Sequence, residues 1–142
     1  MFYNKYKNKK ITNIYGTFDS KLEALHYDRL LLLERAKKIK NLIRQVRIKL
    51  GKNEKCKIAY VADFVFYDLE KSEWVVADSK GIETDTFKVK KAWLLDNYFN
   101  FRFEVIYRNK TETYTPFNSC GIDFDFFIKN YKKTLDKIKI IC

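Results

Sequence analysis

Near the middle of the chain a β-branched run, Val75-Val76-Ala77, leads straight into Asp78-Ser79-Lys80-Gly81. A buried strand has no packing reason to carry a carboxylate and an ammonium at its end. Two residues apart on a strand, Asp78 and Lys80 project from one face, roughly 6.5 Å apart along the backbone, so one water can be shared between them. Asp63 lies upstream in Ala62-Asp63-Phe64, within a second strand-like run from Ile58 to Tyr67. An antiparallel hairpin would bring it beside Asp78. Two carboxylates a few ångströms apart repel unless a proton or a cation sits between them, and a divalent metal is the simplest resolution.

A third carboxylate, Glu23, has two readings. Ser20-Lys21-Leu22-Glu23 has the form of a capping box, in which Glu23 only closes the start of a helix. Alternatively, the helix packs over the strand ends and aims Glu23 at them. The two roles are compatible. His26 falls within the apolar stripe of the same helix and is the chain's one histidine. With no second histidine to share a metal, it reads as a hydrogen-bonded core residue.

The elements that must position these groups follow from periodicity. The first helix is expected from Ser20 to about Ile39, with Leu22, Leu25, His26, Leu30, Leu32, Leu33 and Ala36 on its buried side. A first strand, Ile43 to Leu50, alternates so that Val46, Ile48 and Leu50 point inward and its cations outward. Turns at Gly51 to Glu54 and Asp68 to Ser72 join it to Ile58–Tyr67 and then to Trp74–Gly81, making a three-stranded meander. Thr84 can cap a second helix, from Asp85 to about Tyr98, with Phe87, Lys91, Leu94, Leu95 and Tyr98 on one side. Lys91 there is either a snorkelling lysine at the core edge or a cation reaching the cleft of Lys80. A fourth strand, Phe101 to Tyr107, and a last amphipathic helix, about Ile122 to Ile138, complete the chain. The expected fold is α/β: a mixed four-stranded central sheet flanked by helices, with an extra C-terminal helix.

The chain has 142 residues, enough for one domain with a genuine core. Lys and Arg number 29 against 18 Asp and Glu, a net charge of +11, which attracts a polyanion. The abundance of Lys, Asn, Ile, Tyr and Phe is also what an AT-rich genome would produce with no partner at all. Residues 1 to 16, with Lys5, Lys7, Lys9 and Lys10, read as a basic arm able to lie along a phosphate backbone. No apolar run reaches the roughly 20 residues of a membrane span. The opening is basic and aromatic without a signal-peptide pattern, so a cytoplasmic protein is expected. Cys56, Cys120 and Cys142 are too widely spaced for a zinc site and odd in number, so free thiols are expected.

Several stretches together resemble a known family. Lys5 to Lys10, Gly16-Thr17-Phe18-Asp19-Ser20-Lys21-Leu22-Glu23-Ala24, Gln45, Tyr60 to Tyr67 and Val75 to Gly81 look like small phage-encoded nucleases of the PD-(D/E)xK superfamily, similar to Holliday junction resolvases. A lone D-x-K is weak; a helix Glu, a strand Asp and a D-x-K in that order are far more specific. The resemblance covers roughly residues 5 to 107. It implies a restriction-endonuclease-like core at 17–107, the basic arm at 1–16 and a C-terminal extension at 108–142. It further implies that Glu23, Asp63, Asp78 and Lys80 are catalytic. Mg²⁺, replaceable by Mn²⁺, would be held by Asp63, Asp78 and the Ser79 carbonyl, with Glu23 holding a water or a second ion. Asp78 departs from the Glu often found at that position. The activity implied is metal-dependent hydrolysis of DNA, expected to be branched, by a homodimer in the cytoplasm of a phage's host. Lys9, Lys10, Arg44, Arg47, Lys90 and Lys91 would track the DNA backbone. Alternatives are an endonuclease for linear or single-stranded DNA, a non-catalytic DNA-binding protein on the same fold, and a structural phage protein that leaves the acidic residues unexplained.

Overall fold

A computed structural model describes residues 10–14 and 16–141, with side chains through residue 135. It is a mixed α/β structure built on a five-stranded sheet in the order β3-β4-β5-β7-β8. Strands β3 (Ile39–Lys49), β4 (Ala59–Asp68) and β5 (Glu73–Ser79) form the expected antiparallel meander. Helix α2 (Asp85–Asn97) then crosses over, and β7 (Phe101–Ile106) pairs parallel to β5. Strand β8 (Thr111–Tyr114) closes the edge antiparallel to β7. Outside the sheet, β1 (Ile11–Asn13) and β2 (Gly16–Phe18) form a hairpin ahead of helix α1 (Lys21–Arg35). Strands β6 (Tyr98–Phe99) and β9 (Ile122–Asp123) pair beneath the start of helix α3 (Phe124–Ile141).

The two faces of the sheet bury separate cores. Leu30 of α1 packs with Ile39, Phe64, Phe66, Val75 and Ala77 on one face. Phe87, Leu94 and Leu95 of α2, with Phe124 and Ile128 of α3, pack with Val46, Ile48, Val65, Val76 and Phe103 on the other. Thr84 caps α2 as expected, its hydroxyl oxygen accepting the Phe87 N–H at 3.2 Å. On α3, Trp74 Nε1–H donates to Asp125 at 2.8 Å and fixes the helix start over β5.

Four features differ from the expectation. The sheet has five strands, because Thr111-Glu112-Thr113-Tyr114 joins as an edge strand; its polar alternation gives no apolar signal. The last residues of the expected arm, 11–13 and Gly16, belong to the β1–β2 hairpin, where Gly16 takes φ +122. Helix α1 stops at Arg35, with Lys37 at φ +58, and β3 begins four residues earlier than its apolar alternation suggested. Finally, α1 is rotated: it buries Glu23, Ala24, His26 and Leu30 and leaves Leu25 and Leu32 46% and 62% exposed. Leucines occur all round this helix, so its apolar pattern does not set the rotation, and the polar contacts of Glu23 and His26 do. Among the described residues, no helix is long and apolar enough to cross a membrane.

Candidate functional site

The local departures from regular strand geometry converge on one place. Arg44 faces Phe64 and Val46 faces Ala62 across the β3–β4 ladder, which sets Gln45 opposite Asp63. Gln45 has φ +51, in the left-handed region that non-glycine residues rarely occupy. At this point both strands change phase. Val46, Ile48, Tyr60 and Ala62 face the α2–α3 core, yet two residues beyond the Gln45/Asp63 pair it is Ile43 and Val65 that do so, at the opposite parity. The pairing register stays continuous through the switch. Neither Gln45 nor Asp63 is therefore committed to either core, and both side chains are free to meet other polar groups.

Asp63 and Asp78 are joined through their backbones. The Asp63 N–H donates to Asp78 Oδ1 at 3.0 Å, and the Ser79 N–H donates to Asp63 Oδ2 at 2.9 Å. The antiparallel β4–β5 pairing thus brings the two carboxylates together as the sequence suggested. Asp78 is only 1% exposed. Burial pushes its carboxyl up to about 7, against the opposing pull of Lys80 and of the Asp63 N–H. Burial also raises Asp63, although the Ser79 N–H and Lys80 offset part of the effect.

Glu23 joins this pair from α1. Ser20 Oγ accepts the Glu23 N–H at 3.1 Å, and Glu23 Oε2 accepts the Asp19 N–H at 3.3 Å. The second contact lies one residue before the cap, so the box is a shifted one. The other oxygen, Oε1, accepts from Gln45 Nε2 at 2.9 Å and stands 3.7 Å from Arg44. One oxygen therefore closes the helix start, and the other reaches inward to Gln45 in the interior of β3. Burial, then the charges of Asp63 and Asp19, push its carboxyl up to about 7.

Lys80 leaves the end of β5 with its N–H on the Ile106 carbonyl, and its ammonium lies 4.6 Å from the centre of the Phe87 ring. Lys91 reaches the same ring at 5.5 Å, but also sits over Tyr114 at 4.2 Å and pairs with Glu83 at 3.3 Å. It is a cation held at the edge of the α2 core by these contacts. Arg44 is turned inward: its guanidinium stacks 3.7 Å from the centre of Phe18 and donates to the Thr17 carbonyl, tying the β1–β2 hairpin to the sheet. Arg47 is exposed and donates to the Lys57 carbonyl, Lys90 is half-buried, Lys10 is exposed, and Lys9 lies outside the described residues.

His26 is buried and hydrogen-bonded, through Nδ1 to the Ser79 hydroxyl. Burial, then the Arg29 charge, holds it below the usual histidine range. The His26–Ser79 link and the Phe87 ring under Lys80 are the parts that residue types did not reveal. Gln45 stands among the residues of the family resemblance without a role attached, and its backbone conformation and partners supply one.

Among the described residues, no three His, Cys, Asp or Glu side chains are already gathered to hold a metal ion. The donor set nonetheless suits Mg²⁺, which binds through one or two carboxylates and keeps several waters. Asp63 and Asp78 supply two adjacent carboxylates, both raised chiefly by burial, that a bound cation would hold in the ionised form.

The mixed sheet thus brings Asp63 of β4 beside buried Asp78 of β5, with Lys80 just past the end of β5 and Glu23 reaching in from α1. A family model described as "Protein of unknown function (DUF1064)" matches residues 3–115, and the chain belongs to that family. The match includes every residue of the site and reaches just past β8, leaving α3 outside it. No curated protein and no solved structure matches the chain.

Proposed function

We propose that this protein is a metal-dependent endodeoxyribonuclease with a PD-(D/E)xK core, acting on branched DNA such as a Holliday junction. One observation carries the reading. Glu23, Asp63 and Asp78 are linked by Gln45 and two backbone N–H groups into one cluster beside Lys80, at the middle of β4 and the end of β5, in a chain of net charge +11. Buried carboxylates that repel one another weaken a fold, and their retention points to a cation and a reaction.

Asp63, Asp78 and the Ser79 carbonyl would hold Mg²⁺, or Mn²⁺ in its place. When bound, the ion would polarise the scissile phosphate and lower the pKa of water. Lys80 faces the cleft with an ammonium that has no carboxylate partner among the ion pairs of the described residues. It donates to the attacking water and to the phosphate oxygens as negative charge gathers there. The water oxygen bonds to phosphorus as the water gives up a proton to solvent, the bond to the leaving sugar oxygen breaks and that oxygen takes a proton from solvent, and the products are a phosphomonoester and a free hydroxyl. Glu23 orients a second water through its site-facing oxygen. Arg47, Lys90, Lys91 and Lys10 meet the DNA backbone. Arg44 contributes from behind by holding the hairpin and Glu23.

Branched substrate, homodimeric assembly and a place in the cytoplasm of a phage's host belong to the same proposal. The discriminating experiment incubates the protein with a four-way junction, a linear duplex and a single strand, each with Mg²⁺ or with chelator. Junction cutting that needs Mg²⁺ supports the proposal. Preference for linear duplex or single strand replaces the substrate, and inert behaviour on all three removes the nuclease reading.

A further inference from the structure

We infer that Gln45 is the positioning residue of the site, and that its left-handed backbone is the device that turns a core-facing strand position into a bridge between two carboxylates. Its side-chain amide donates to Glu23 Oε1 at 2.9 Å and reaches Asp63 Oδ1 at 3.5 Å. One Nε2 group thus spans a helix carboxylate and a strand carboxylate that have no other direct link. The inference rests on the nuclease reading above.

The geometry is unusual enough to need a cause. A non-glycine residue at φ +51 in the interior of an 11-residue strand is strained. Asn41, at φ +57 in the same strand, coincides with a register shift against β4, as a bulge does. Gln45 coincides with no register shift: the register is the same from Ile43↔Val65 to Lys49↔Ala59, with the ladder skipping only the Gln45/Asp63 position. Regular alternation would place its side chain opposite those of Arg44 and Val46. Instead those two neighbours face opposite cores: Val46 enters the α2–α3 core, while Arg44 stacks on Phe18 and Tyr27 on the α1 side. The phase change exists only at Gln45 and at Asp63 across from it. An extended residue at 45 would keep Arg44 on the face of Val46, away from Glu23 and the hairpin. The strain therefore accomplishes two things at once, orienting the amide and delivering Arg44.

This assigns Gln45 an effect that can be separated from folding. Glycine accepts the left-handed backbone without strain but has no amide. Asparagine tolerates that backbone better than most residues and keeps the amide on a shorter arm. Metal affinity by calorimetric Mn²⁺ titration, urea unfolding in chelator, and separate kcat and KM on DNA are measured for wild type, Gln45→Gly and Gln45→Asn. Both variants should unfold at the wild-type urea concentration or higher. Mn²⁺ affinity and kcat should fall by about 10- to 100-fold, the usual consequence of losing a residue that orients a metal ligand, while KM for DNA stays put. Wild-type Mn²⁺ affinity and kcat in a folded Gln45→Gly protein overturn the inference and leave the nuclease reading standing. A wild-type protein that neither binds Mn²⁺ nor cuts DNA overturns both. Should glycine disrupt folding, the asparagine variant decides, and unimpaired metal binding there has the same meaning.

Discussion

Asp78→Asn should make the metal-free protein more stable while destroying its activity. Asp78 is 1% exposed, and its carboxyl is pushed from 3.8 to about 7 chiefly by burial. The difference is about 3 pKa units, and at about 1.4 kcal/mol each the ionised form costs the fold about 4 kcal/mol well above pH 7. Asparagine removes that cost and keeps an oxygen for the Asp63 N–H now bound at 3.0 Å. It also buries an NH₂ group with no assigned acceptor, a penalty of about 1–3 kcal/mol. The net expectation is a gain of roughly 1–3 kcal/mol at pH 8 in chelator, or on the order of 1 M in urea midpoint. The sign with pH follows from linkage. An acid whose folded pKa lies above its unfolded value binds more protons folded than unfolded between the two, so wild-type stability falls as pH rises from 3.8 to about 7. Above that the full cost persists. The advantage of Asp78→Asn should therefore shrink toward pH 4. Saturating Mg²⁺ should restore wild type selectively, because only the native carboxylate pair binds it. A less stable Asp78→Asn protein at pH 8 in chelator would show that Asp78 is a structural hydrogen-bond acceptor and refute the reasoning.

Three further outcomes follow from the geometry. Lys80→Ala deletes a cation from beside Asp63 and Asp78, so Mn²⁺ affinity by calorimetry should hold or rise while cleavage falls by about 100-fold or more; weaker metal binding would contradict the assigned role. Arg102→Met removes the guanidinium that pairs with Asp68, Glu73 and Glu104 on the far face of β7, so urea unfolding should show a loss of about 3–5 kcal/mol, much of it recovered at low pH. DNA binding in Ca²⁺ should weaken steeply with salt, with a log–log slope near −5 if about six phosphates are neutralised; a flat dependence would remove the phosphate-tracking surface.

The pairing of Asp63 with Asp78 was more legible than the architecture around it. Asp78 and Lys80 share a strand face by spacing alone, and a meander from Ile58 to Gly81 leaves Asp63 little choice but to lie beside Asp78. The single histidine was readable as core because a lone imidazole has no partner ligand. Other features depended on tertiary contacts that no local pattern records. Strand β8 is Thr-Glu-Thr-Tyr at a sheet edge, where one exposed side hides any apolar alternation. The rotation of α1 is set by Glu23 and His26 reaching inward, against the pull of six leucines spread around the helix. Arg44 looked like an outward cation because strict alternation was assumed through residue 45, where the strand changes phase. Gln45 belongs to the family resemblance, but its left-handed backbone and its two carboxylate partners have no signal in an alternating strand.

The central claim is that one metal-assisted site at Asp63, Asp78 and Lys80 cuts DNA. It is tested most directly by a gel assay of a labelled four-way junction with purified wild type, Asp78→Asn and Lys80→Ala, each in Mg²⁺, in Ca²⁺ and in chelator, with binding followed in parallel. The account predicts junction cleavage by wild type in Mg²⁺ alone, with all three proteins still binding the DNA. Cleavage that survives both substitutions, or that proceeds equally in chelator, would contradict it.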